Sequence, residues 1–67
     1  MNKPYRVVVT IDLPIGHYVR WLRRNGEVQR YADETDARFA AVAMRRLGNP
    51  YVEYAVHRIP EAMRIAA

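Results

Sequence analysis

Cysteine and serine are both missing from this 67-residue chain. Without cysteine there is no disulfide, no thiolate nucleophile and no Cys-based zinc site. Without serine a Ser-His-Asp triad cannot be assembled. Glycine is scarce, and Gly16, Gly26 and Gly48 are too scattered to form a phosphate-cradling loop. The histidines are His17 and His57, too few for a metal cage without carboxylates brought in by folding. An acid–base pair would need a cleft, which one helix on one sheet rarely supplies. A hydrolase using Asp12, His17 or His57 is the enzymatic alternative. The stronger expectation is a protein that is not an enzyme and uses no metal or cofactor. The two histidines read as exposed strand residues without a role, against the alternative that His57 is a pH-sensitive contact.

Long hydrophobic runs are also lacking: none approaches the ~18–20 residues that span a bilayer. Met1-Asn2-Lys3-Pro4 leads into a strand-like pattern without a small-residue cleavage site, so no signal peptide and no membrane partner are expected. The expected location is cytoplasmic. Lysine occurs once, at Lys3, whereas arginine supplies the rest of the 11 basic residues against 7 acidic ones, for a formal net charge of +4. A basic surplus favours an anionic partner, either nucleic acid or an acidic protein face. The arginine skew also has a simpler origin in GC-rich coding. The length allows one domain, residues 1–67, that buries only about 60 % of its unfolded surface. Stability then comes from a well-packed core, a partner, or a second copy in a homodimer.

What is present reads as α+β. Tyr5-Arg6-Val7-Val8-Val9-Thr10-Ile11-Asp12-Leu13 is rich in β-branched residues, with Tyr5, Val7, Val9, Ile11 and Leu13 in one apolar row and Arg6, Thr10 and Asp12 opposite. Pro14-Ile15-Gly16 breaks it. His17–Arg23 reads as a second strand, Asn25-Gly26 as a type I′ turn, and Glu27–Ala32 as the returning third strand. From Asp33 to Leu47 the chain is alanine-rich with acids in front and Arg45-Arg46 behind, a helix aligned with its dipole. Asp33 or Thr35 is the cap. Phe39, Val42, Ala43 and Leu47 are expected to face the sheet, flanked by Ala40 and Met44. Gly48 and Asn49-Pro50 stop the helix. Tyr51–Ile59 is the last strand, with Val52, Tyr54 and Val56 inward and Tyr51, Glu53 and His57 outward. Glu61–Ala67 has the composition of a short helical turn. The expected order is β-β-β-α-β, a small antiparallel sheet with one helix packed on one face.

The uncovered face of that sheet is the expected site. In the second strand either Val19 and Trp21 or Tyr18 and Leu22 point inward; the first assignment is preferred and puts Tyr18, Arg20 and Leu22 outside. The candidate partner-binding residues are then Arg6, Tyr18, Arg20, Arg30, Tyr51 and Arg58. Arginine interleaved with tyrosine suits base stacking and phosphate pairing, and it equally suits a protein interface. Arg38, Arg45 and Arg46 read as a solvated helix exterior.

Two resemblances follow from these strings. Arg20-Trp21-Leu22-Arg23-Arg24-Asn25-Gly26, with Tyr31 and the helix to Leu47, resembles the three-strand-plus-helix DNA-binding module of phage integrase N-termini and AP2-type domains. That resemblance implies an open sheet face in the DNA major groove, although the strand from Tyr51 to Ile59 departs from the module. Over nearly the whole chain, the valine-rich first strand, the polar-Gly hairpin, the Ala/Met-rich helix, Gly48-Asn49-Pro50-Tyr51-Val52 and Ile59-Pro60-Glu61 are similar to a small phage anti-CRISPR protein. It implies an inhibitor in the host-cell cytosol that plugs a host protein or ribonucleoprotein complex such as a CRISPR effector. Many anti-CRISPR proteins are acidic DNA mimics. This chain is basic, so the partner surface implied is acidic or contains nucleic acid.

Overall fold

The β-branched run Tyr5–Leu13 forms β1, the central strand of a three-stranded antiparallel sheet in a computed structural model that describes residues 3–60. β2 (Gly16–Trp21) returns along one edge of β1 after a two-residue turn at Pro14-Ile15, pairing Leu13 with Gly16 and Val8 with Trp21. The Leu22 N–H still bonds the Val7 carbonyl at 2.8 Å.

The chain then leaves the sheet. β3 (Arg23–Arg24) and β4 (Glu27–Val28) make a separate two-stranded hairpin around Asn25 (φ 53) and Gly26 (φ 81). Both central residues of this turn have positive φ, as a type I′ turn requires. The Gln29 N–H bonds the Leu22 carbonyl at 2.9 Å, and Tyr31 rejoins β1 by exchanging two backbone bonds with Tyr5. The expected third strand Glu27–Ala32 is thus shortened to β4 and one bridge. β2 already occupies that edge of β1 as far as Val7, so only Tyr5 is left for the returning chain.

α1 (Glu34–Arg45) begins at Asp33, whose extended backbone (φ −115, ψ 144) is that of an N-cap, although its carboxylate accepts no capping bond. Glu34 and Asp36 in the first turn and Arg45 in the last match the helix dipole, and Arg38 pairs with Glu34 one turn back at 2.6 Å. The helix ends before Leu47. The Leu47 and Gly48 amides bond carbonyls three residues back, and Gly48 turns the chain at φ 77. β5 (Val52–Arg58) then runs along the other edge of β1, pairing Tyr5 with Arg58 and Ile11 with Val52. The Ile59 amide bonds the Pro4 carbonyl at 2.8 Å. The helical turn expected over Glu61–Ala67 lies outside the described residues.

α1 packs over β5 and β1. The core is Val7 with Ala37 and Ala41, ringed by Tyr5, Leu22, Tyr31, Ala40, Tyr54 and Val56. This corrects the expected helix phase. Ala37 and Ala41 face the sheet, with Ala40 and Met44 half-buried beside them, while Phe39 and Leu47 are 71 % and 75 % exposed and Val42 and Ala43 also face outward. The sheet contributes tyrosines, Leu22 and valines to the layer between them, and small helix residues let the two backbones approach. The Arg45 guanidinium donates to the Tyr54 carbonyl and pins the helix end to β5.

Candidate functional site

The turn at Pro14-Ile15 decides what each face of the sheet displays. Two connecting residues place every odd position of β1 opposite an even position of β2: Val9 meets Arg20 and Ile11 meets Tyr18. Residues opposite one another across a ladder share a face. Tyr18, Arg20 and Leu22 therefore lie on the helix side with Val7 and Val9, and Val19 and Trp21 lie on the open side. The preference for Val19 and Trp21 inward is overturned: Val19 is 62 % exposed, and Leu22 packs on the core.

Trp21 anchors one end of the open face, at the close of β2. Its ring lies 5.7 Å from the His57 ring, tilted by 41°, and the Arg6 guanidinium sits 5.8 Å from the Trp21 centroid. This group spans all three strands, since Arg6 is opposite His57 in the β1–β5 ladder. At the other end of the face, Asp12 and His17 pair across β1 and β2 at 2.8 Å, both exposed.

α1 does not extend over β2 as it does over β5 and β1. Tyr18 and Arg20 are consequently exposed on the helix side, Tyr18 by 52 %. A Cβ at Gly16 would come within 3.2 Å of the Tyr18 hydroxyl, so the missing side chain lets that ring lie along the strand. β2 is also an end strand of its sheet. It is wet on both faces and along one edge.

The six sequence-derived candidates do not form one patch on the open face. Arg6 lies there; Tyr18 and Arg20 border the same strand from the opposite face. Arg30 is exposed just before Tyr31, outside the three-stranded sheet. Tyr51 stands in the turn before β5, its amide on Asn49 Oδ1 and its carbonyl accepting from Asp12. Arg58 is on the helix-side row of β5, opposite Tyr5. Neither joins the group at β2. Trp21, read from sequence as core, is the residue that was missed, and the two-residue connection was the signal that could have placed it.

Charge is divided unevenly over this surface. The open face sets one arginine, Arg6, against two carboxylates, Asp12 and Glu53. The cationic surplus instead follows β2 and the hairpin, where Arg20, Arg23, Arg24 and Arg30 are all exposed and Glu27 is the one acidic residue in the segment 20–30. An open groove of about 380 Å³ lies between Glu34, Arg38, Val42 and Arg45 of α1 and Val56 of β5. Its arginines are engaged, Arg38 by Glu34 and Arg45 by the Tyr54 carbonyl. Among the described residues no three His, Asp or Glu side chains converge as metal ligands would.

Compared with protein-family models, with curated proteins and with solved structures, the chain matches none.

Proposed function

We propose that this chain is a small binding protein that acts by covering a surface of a larger host complex, in the anti-CRISPR-like manner that its sequence resembles, with β2 as the contact element. The observation that carries the proposal is the exposure of β2 on both faces and one edge, with Tyr18 and Arg20 on one side and Val19 and Trp21 on the other. Tyr, Trp and Arg are the residues that most often dominate interface energies. An unpaired strand edge adds main-chain hydrogen bonds to a partner strand. The stacking of Arg6 and His57 on Trp21 holds that ring in place before contact, which lowers the ordering cost of binding.

A protein partner fits the open face better than nucleic acid does, because Asp12 and Glu53 would meet phosphates there. The test is protection of a targeted phage or plasmid in cells carrying a panel of CRISPR systems, followed by affinity for the effector that responds. Arg20→Glu and Trp21→Ala should each weaken binding about thirty-fold, the size of an interface hot spot. Arg58→Glu, at the far edge of the sheet, should change it less than about threefold. Equal losses at all three positions would remove β2 as the contact element, and no protection in any system would remove the inhibitor reading.

The hairpin arginines favour a second reading, nucleic-acid binding through Arg20, Arg23, Arg24 and Arg30. It predicts that affinity for random-sequence DNA or RNA falls linearly with salt on logarithmic axes, and that each Arg→Ala change lowers the slope by about one. Anisotropy titrations at several salt concentrations would show this, and a flat response would exclude it.

A further inference from the structure

We propose that the outer face of α1 is the seam of a symmetric dimer, in which the helix packs antiparallel against the same helix of a second copy. A small protein with so slight a core has unusual reason to keep Phe39 and Leu47 inside, yet both are among its most exposed large side chains. Single exposed apolar residues are ordinary, whereas neighbouring ones that form a patch mark a contact surface. Phe39, Val42, Ala43 and Leu47 are exposed neighbours on this side of the helix and its end. Here Asp36, Phe39, Ala43 and Arg46 are spaced three, four and three residues apart, the repeat of a two-helix seam. Val42 and Leu47 flank it, and all six side chains are exposed.

The pattern also selects a second copy as the occupant, and its direction. A two-fold axis at the level of Ala41 sets Asp36 opposite Arg46 of the other copy and Phe39 opposite its Ala43. One register therefore matches acid with base and large with small, at both ends at once. Parallel pairing would bring Asp36 to Asp36 and Arg46 to Arg46, which like-charge repulsion disfavours. The side-chain pairs Asp12–His17 and Arg38–Glu34 within the described residues involve neither Asp36 nor Arg46. Interfaces of standard size take about 800 Å² per partner, whereas a 12-residue helix is only ~18 Å long. The dimer is accordingly a reversible one that responds to concentration. The seam points away from the sheet, so each copy keeps β2 free, and the inference does not depend on what β2 binds.

Sedimentation equilibrium over a concentration series tests it. The chain should pass from monomer to dimer, and Phe39→Glu, Asp36→Arg and Arg46→Asp should each hold it as monomer with unchanged circular dichroism. Combining Asp36→Arg with Arg46→Asp should restore the dimer, because the exchanged charges again oppose one another. A wild-type monomer at every concentration overturns the proposal. A dimer that survives Phe39→Glu overturns it in favour of strand-edge pairing, and folded single variants that are not rescued by the exchange overturn the antiparallel register.

Discussion

Gly48 is the residue whose conformation matters more than its contacts. It holds φ at 77 after the last turn of α1, and a Cβ built there meets nothing within 4 Å. Gly48→Ala therefore introduces no clash and costs only the left-handed backbone penalty, about 1–2 kcal/mol. Each kcal/mol should lower Tm by roughly 4–8 °C in a domain of this size. An unchanged Tm on thermal unfolding would mean that the turn relaxes to another conformation. Gly16 is the contrasting case, where the space and not the φ is used: the Tyr18 ring occupies it. At Asp33 the residue type of a cap and the backbone of a cap are present without the side-chain bond. The exposed Asp12–His17 pair has a good distance, but exposure limits such pairs to about 0–1 kcal/mol.

At the scale of the element, α1 carries two apolar stripes, and sequence periodicity identifies the helix without saying which stripe is inside. Phe39, Val42, Ala43 and Leu47 have the greater hydrophobic volume, so transfer energy alone points them inward. The alanine stripe wins because the layer above β1 is already filled by Val7, Tyr5, Tyr31 and Tyr54. The outcome is measurable by urea unfolding at concentrations where the chain is monomeric. Ala41→Leu should cost about 1–3 kcal/mol from overpacking, whereas Phe39→Ala should stay within about 0.5 kcal/mol, as exposed substitutions do. The reverse ranking would return the helix to the phase its large residues imply. β2 shows the same limit. Its alternation was legible, but its facing depended on whether the connection to β1 had an odd or even number of residues.

Taken as a whole, the molecule has few buried side chains among those described, a sheet with β2 and β5 as its end strands, and charge divided between surfaces. Pro4, Val7, Val9, Ala37, Ala41 and Ile59 are its buried apolar residues among those described. That inventory makes stability sensitive to anything that binds only the folded form. If the helix seam pairs two copies, Tm rises with protein concentration, and Phe39→Glu should abolish the rise while leaving the dilute-limit Tm in place. A Tm independent of concentration in the wild type would separate stability from assembly. A dimer would also present two β2 strands, so a partner with two sites would bind by avidity and not only by contact area.

The sequence by itself determined the kinds of element and their punctuation. The valine row of β1, the Asn25-Gly26 turn, the alanine-rich helix, its stop at Gly48 and the inward row of β5 all follow from local backbone preference and spacing, and they are found where those signals lie. The tertiary structure decided how the elements are phased against one another: Trp21 outside with Arg6 and His57, Leu22 inside, and Ala37 instead of Phe39 on the core. Periodicity within an element is a property of its own backbone. Phase between elements is set by connection length and by which side chains fill the shared volume, and neither can be read from one segment alone.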